Sequence, residues 1–227
     1  MKDSAFNKIS YTLLVFPAIS IYTVVILLPV LFSLGISFTQ WSGFGLPALN
    51  GLANYTKILN DPIFLHGLRN NIFVVLVSVF GQIPLGFVLA YILFRNLVKA
   101  SHFFKSMIFL PNIISTVVVA ILWNQIFSPT GFYTAIMRWV KNDPRYILTI
   151  FENKNLAIVP ILFVILWMYT GLYMIIFLAN MQRINVSTLE AAVIDGASEW
   201  QILFKIIVPS MVGVLFVCAV LAVSGSF

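Results

Sequence analysis

Charge is what this chain of 227 residues is short of: 9% of its residues are Asp, Glu, Lys or Arg, against about a quarter in soluble domains. Hydrophobic residues make up 61%. A soluble core of this size cannot hide so much apolar surface, so lipid must be the solvent for most of it. Cysteine is nearly absent. Cys218 is the single one, which excludes an internal disulfide, and its apolar surroundings read as a small buried hydrophobe. The two histidines, His66 and His102, lie in different loops with no second ligand at metal spacing, so no metal centre is assigned. No glycine-rich phosphate loop is present, so the chain has no evident way to bind ATP itself. No Ser-His-acid or Cys-His pairing is suggested either, so no catalytic residue is assigned and the chain does not read as an enzyme. The net charge of +6 could suggest nucleic acid. The thirteen Lys and Arg mostly flank apolar runs instead, as cations at a membrane boundary do. The expected partner is lipid, with no nucleic acid.

Charge-free intervals place the membrane spans. A helix needs roughly 20 apolar residues to cross the hydrocarbon core. Five spans follow, at about 11–38, 71–94, 107–127, 156–181 and 206–226. The runs are continuously apolar rather than alternating, which predicts helices and not a barrel. Pro17, Pro29, Pro84, Pro111 and Pro160 fall within or at the ends of spans, where neighbouring helices can repair lost hydrogen bonds. The first run is too long for a signal-peptide core and reads as an uncleaved span. No repeat, low-complexity segment or composition shift divides the chain, so residues 1–227 read as one all-helical membrane domain.

The positive-inside rule sets orientation. With the N-terminus inside, Lys2, Lys8, Arg95, Lys99, Lys105, Arg183 and Lys205 are inside. Lys57, Arg69, Arg138, Lys141, Arg145 and Lys154 are outside. Seven against six decides little, but the densest short loop, Arg95 to Lys105, favours the N-terminus inside. The loops 39–68 and 128–155 then cover the outer face, the second with an amphipathic stretch at 132–140. Asn54-Tyr55-Thr56 fits a glycosylation acceptor pattern.

No Asp, Glu, Lys, Arg or His occurs inside the spans, which counts against a proton relay. Sodium coupling through backbone carbonyls stays open. The polar residues there are mild: Asn71, Ser78, Gln82, Ser115, Thr116, Asn124, Gln125, Tyr169, Thr170, Tyr173 and Asn180. They could line a path for a polar solute or simply bond helix to helix. Tyr169, Thr170 and Tyr173 cluster aromatic and hydroxyl groups near mid-membrane, as sugar binding would want, and are the candidate pathway residues.

One polar element, residues 187–209, interrupts the greasy sequence. It holds Glu190, Asp195 and Glu199, three of the seven acids. Ser187-x-x-Glu190 and Ser198-x-x-Gln201 read as capping boxes. Leu189, Ala192, Val193 and Gly196 form a stripe at helical spacing. Gly196 can take the left-handed conformation that ends a helix. The expectation is helix, glycine corner, helix. On local physics alone it is either a docking element or a helix pair lying on the membrane.

The residues of this element also resemble the E-A-A loop of ABC-transporter permeases. Glu190-Ala191-Ala192, Asp195-Gly196-Ala197, Ile206 and Pro209 match its spacing throughout, with Val208 where leucine is usual. Phe16-Pro17-Ala18 and the runs at 37–41, 51–55, 110–115 and 171–182 are similar to permeases of binding-protein-dependent sugar importers of the maltose and glycerol-phosphate type. The resemblance implies the fold of a type I ABC importer permease in a bacterial inner membrane. It implies a second permease subunit, a cytosolic ABC ATPase dimer carrying ATP and magnesium, and an extracytoplasmic solute-binding protein, with no cofactor on this chain. It implies that Glu190, Ala191, Ala192, Asp195, Gly196, Ala197 and Pro209 form the coupling element seated on the ATPase. The family core has six spans, so the resemblance also implies that an outer loop and a sixth span are missing here. A permease for another polar solute and an ion-coupled carrier are the alternatives.

Overall fold

The computed structural model describes residues 2–148, 150–152 and 156–227, without the side chains of residues 2–11. Lys154 and the side chains of Lys2 and Lys8, used in the orientation count, lie outside the described residues. The chain divides into two compact units, residues 1–67 and 68–227.

In the first unit, α1 covers Lys2–Tyr22 and runs through a π turn at Thr23–Leu27 into Leu28–Ile36. Its apolar length, Thr12–Ile36, is 25 residues. An antiparallel pair follows, β1 (Thr39–Gln40) with β2 (Ala48–Leu49), in the register Thr39 with Leu49 and Gln40 with Ala48. The short helix α2, Ala53–Leu59, is tied back to it. The Asn54 amide donates to the carbonyls of Ser37 at 2.9 Å and Thr39 at 2.8 Å. The Tyr55 and Ser37 hydroxyls lie 2.6 Å apart. Asn54, read from its pattern as a glycosylation acceptor, thus spends its side chain on the backbone.

The second unit contains the packed helices. α3 spans Pro62–Phe94, beginning nine residues before the expected span, with Arg69 in its first turns set over the ring of Phe73. α4 is Ser101–Ile113, α5 Thr116–Ile126 and α6 Phe132–Lys141. α7, Ile158–Met181, is the central helix. α8 is Val186–Ile194. α9, Glu199–Ser210, and α10, Val212–Ser226, end the described chain. Among the described residues, three helices are long and apolar enough to cross a membrane, and the number is five if each of two bent pairs crosses as one. The run expected as one span at 107–127 is such a pair. α4 and α5 meet at 95°, because Ile114 and Ser115 are extended, with ψ of 139° and 131°. Apolar length alone could not place that break. α9 and α10 bend by 63°.

Proline explains a recurrent feature. π turns at Thr23–Leu27, Ser78–Gln82 and Leu203–Ile207 each end two residues before a proline: Pro29, Pro84 and Pro209. Proline has no N–H to donate, and its ring collides with the carbonyl four residues back. In all three places the residue before the proline donates five residues back instead: Leu28 to Thr23, Ile83 to Ser78 and Val208 to Leu203. The widened turn relieves the clash while keeping the helix continuous.

Packing centres on α7. Gly86 of α3 lies against it so closely that a β-carbon there would come within 2.7 Å of the Tyr173 Cβ and 2.9 Å of the Met174 nitrogen. Gly171 makes a similar approach to α4 at Ile108 and Phe109. In a membrane, where apolar side chains gain little by leaving lipid, such close backbone approach supplies the packing. Ala90, Met174, Phe177, Met181, Ile207 and Cys218 are fully buried in the same cluster. The Cys218 thiol is thus a packed hydrophobe, as expected.

Candidate functional site

A cavity of about 770 Å³ opens between α3, α5, α7 and α10. Its polar wall is built by two helices. The π turn of α3 carries Ser78 and Gln82 into it, and α5 adds Thr116 and Asn124. π turns place side chains that a regular helix would rotate away, and they often occur at functional positions. The Gln82 side chain is buried and braced, donating to the Ile165 carbonyl at 2.9 Å. α7 contributes Tyr169 and Tyr173.

The third candidate pathway residue is placed elsewhere. Thr170 is buried but does not line the cavity, and its hydroxyl donates to the Leu166 carbonyl of its own helix at 2.5 Å. Tyr169 lines the cavity while its neighbour, about 100° round the helix, turns its hydroxyl back onto α7. Asn180 is likewise spent within α7, donating to the Ile176 carbonyl at 2.8 Å. Asn71, Ser115 and Gln125 are outside the lining.

The aromatic wall was missed by sequence reading. Trp123 lines the cavity with Phe127 and Phe151. Its ring packs at 5.5 Å from Phe127, 5.4 Å from Phe163 and 5.5 Å from Trp167. The spacing of Trp123 and Phe127, four apart on a helix, was the available signal. A cavity with hydroxyls and amides on one side and fixed aromatic faces on another can hold a polar solute that also has apolar faces.

The second candidate site is the polar element. The helix α8 does not start with the expected Ser187–Glu190 capping box. Asn185 is the N-cap, and its side-chain oxygen accepts from the Ser187 backbone N–H at 3.0 Å and from the Ser187 hydroxyl at 2.8 Å. Asparagine is as good a cap as serine, and starting two residues earlier places Ser187 inside the helix. The second capping box forms as expected: Ser198 N–H donates to the Gln201 side chain at 2.7 Å, and Gln201 N–H to the Ser198 hydroxyl at 3.4 Å.

The corner between them is a complete C-terminal motif. Gly196 has φ of +79°. Its N–H donates to the Val193 carbonyl at 3.0 Å, and the Ala197 N–H to the Ala192 carbonyl at 2.9 Å. These two bonds define the Schellman ending, which needs a left-handed residue at this place. Of the predicted stripe, Leu189 is buried and Ala192 half-buried, but Val193 and Gly196 face outward. Ala197 and Ile202 complete the inner face instead.

What the corner presents outward is distinctive. Glu190, Ala191, Asp195 and Gly196 are exposed, as is Pro209 beyond the next π turn. Ile194 is 84% exposed and Trp200 70%, with Trp200 stacked on Phe204 at 5.8 Å. Exposed apolar groups rimmed by carboxylates are what a surface covered by another protein or by the membrane boundary presents. On its flank, the Arg95 guanidinium grips Glu199 with two nitrogens, Nη2 to Oε1 and Nε to Oε2, the latter at 3.1 Å. Tyr91 donates to the same Oε2 at 3.0 Å. Glu199 stands in the first turn of α9, ahead of the apolar run, and the Arg95 guanidinium holds its carboxyl below the usual carboxylate range.

Residues 82–227 match the family described as the binding-protein-dependent transport system inner membrane component. The chain is 31% identical over 224 residues to the probable ABC transporter permease protein YurN of Bacillus subtilis, covering 97% of this chain and 76% of that protein. It is 35% identical over 190 residues to the lactose transport system permease protein LacF of Rhizobium radiobacter, covering 83% of this chain and 62% of LacF. Its fold is similar to a chain in the crystal structure of a bacterial ABC transporter that imports the acidic polysaccharide alginate, with a TM-score of 0.74 at 22% identity. That likeness covers 97% of this chain and 74% of the other.

Proposed function

The chain belongs to the family of binding-protein-dependent transport system inner membrane components, and on that premise we propose that it forms the pathway of an ATP-driven importer of sugars or related polyols. It is a multi-pass inner-membrane permease. ATP hydrolysis is assigned to a separate cytosolic ATPase dimer, which would carry ATP and magnesium. A second permease completes the pathway, and a solute-binding protein delivers the solute from outside.

One observation carries the coupling role. The corner at 192–197 holds Glu190, Asp195 and Ile194 outward while Leu189 and Ile202 anchor it in the core. A rigid, anchored corner can transmit a push, where a slack loop would absorb it. Seated on the ATPase, Glu190 and Asp195 would make polar contacts and Trp200 an apolar one. Closure of the ATPases would then move the corner and switch the pathway between inward and outward access. Ala191 keeps the outward surface low, Ala192 and Ala197 let the corner sit close on the core, and Pro209 sets the widened turn behind it.

The sugar class is supported by the cavity, which Gln82, Asn124 and Tyr173 line together with Trp123 and Phe127, and by the likeness to a lactose permease. Family membership displaces the ion-coupled carrier. The test is uptake of labelled sugars into vesicles holding the full-length permease pair and ATPase, with the solute-binding protein added. Uptake that needs both ATP and the binding protein, and that unlabelled oligosaccharide competes away, is expected. Competition by amino acids or polyamines but not sugars would reassign the solute.

A further inference from the structure

The triad of Tyr91, Arg95 and Glu199 joins two places that are 104 residues apart in sequence. Glu199 begins α9 immediately after the capped corner of the polar element. Tyr91 and Arg95 end α3, whose π turn at Ser78–Gln82 lines the cavity. Between the two ends of α3 lie Gly86 and Ala90, both packed without slack against α7. The helix from cavity to triad is therefore one stiff rod, widened only at its π turn. α9 has a matching π turn at Leu203–Ile207, directly after the triad.

The arrangement is unlike an ordinary surface ion pair. A planar guanidinium bound through two nitrogens fixes orientation as well as distance, and Tyr91 holds the carboxylate from a third direction. The pair is nonetheless at the surface, with side-chain exposures of 23% for Arg95 and 59% for Glu199, so its effect on overall stability is small. Its geometric consequence is directional: while the pair holds, a shift of α9 along its axis draws on the end of α3.

We propose that Arg95, assisted by Tyr91, is a positioning residue that clamps the coupling element to α3, so that displacement of the corner reaches the cavity through α3 as well as through α9 and α10. This rests on the coupling role proposed above. Without the clamp, the corner would still dock and the ATPases would still turn over, but α3 would not follow. The signature is ATP hydrolysed without solute moved.

The experiment uses the full-length transporter with its ATPases and solute-binding protein in proteoliposomes, and reads ATP hydrolysed per solute imported. Arg95→Glu and Glu199→Arg should each raise that ratio by about fivefold or more, while the complex assembles normally. The double reversal should bring it back close to wild type, which shows that the two charges act on each other and not separately. Unchanged ratios in both single variants, or no recovery in the double, would overturn the clamp. If a reversal prevents assembly, Arg95→Lys and Glu199→Gln are read in the same assay, and an unchanged ratio there overturns it equally. Gly196→Val in parallel vesicles separates the two readings. If it leaves coupling intact, the coupling role itself is wrong; if it uncouples while the clamp variants do not, only the clamp is wrong.

Discussion

Gly171 and Phe109 leave no room for a side chain between α7 and α4: a β-carbon on Gly171 would lie 2.9 Å from the Phe109 Cα and closer still to the Ile108 carbonyl oxygen. Both obstacles are backbone, so neither can swing aside. The first prediction follows from this contact. Gly171→Ala should destabilise the permease by about 1–3 kcal/mol through overpacking. Gly213→Ala, where nothing lies within 4 Å, should not. Thermal unfolding of the purified complex in detergent measures the difference.

Gly196 poses the opposite situation. Nothing surrounds it within 4 Å, and only its φ of +79° restricts replacement. A β-branched residue there costs at least 1–2 kcal/mol of backbone strain, whereas asparagine tolerates the left-handed region. Gly196→Val should therefore abolish uptake while the spans still insert, and Gly196→Asn should retain most of it. Equal loss in both variants would point to a contact with the glycine surface instead of backbone conformation.

The start of α8 offers a test of which residue caps it. Asn185→Ala should cost about 1 kcal/mol of local helix stability. Glu190→Ala, which would have broken a capping box, should leave the helix start unchanged. Hydrogen exchange at the amides of Ser187 and Thr188 reads this directly, with faster exchange expected for Asn185→Ala alone.

In the cavity, Tyr173→Phe and Thr170→Val separate lining from packing. Tyr173 faces the space, and loss of its hydroxyl should weaken apparent solute affinity by up to about tenfold, the equivalent of one hydrogen bond. Thr170 bonds only to Leu166 within α7, so Thr170→Val should leave affinity unchanged. Concentration dependence of uptake distinguishes them. Trp123→Ala should reduce affinity for ringed sugars more than for open-chain polyols, because a flat ring stacks and a flexible chain does not.

Much of this architecture was legible in the linear chain. The apolar runs gave the helices at 12–36, 62–94 and 158–181 nearly in place, because the cost of leaving backbone polar groups unpaired in lipid leaves helices as the only choice for such runs. The E-A-A spacing, the Gly196 corner and the Ser198–Gln201 box were legible too. The corner and the box depend on residues within about one helical turn of one another, and the E-A-A spacing on one continuous stretch, 190–209. The cap at Asn185 was missed by two positions, since two good cap residues compete there and sequence does not rank them.

The sequence by itself thus determined a membrane-spanning helical chain and a folded polar corner, both consequences of local chemistry and of the solvent. The tertiary structure decided which polar residues meet. Ser78 and Gln82 enter the cavity because a proline widens the turn ahead of it, and Tyr169 enters while Thr170 turns away, because helix rotation settles which face is inward. Arg95 finds Glu199 because Ile202 and Ile207 of α9 are buried in the same cluster as Ala90 and Leu93 of α3. Contacts at such separation depend on helix rotation and depth, which no local spacing encodes.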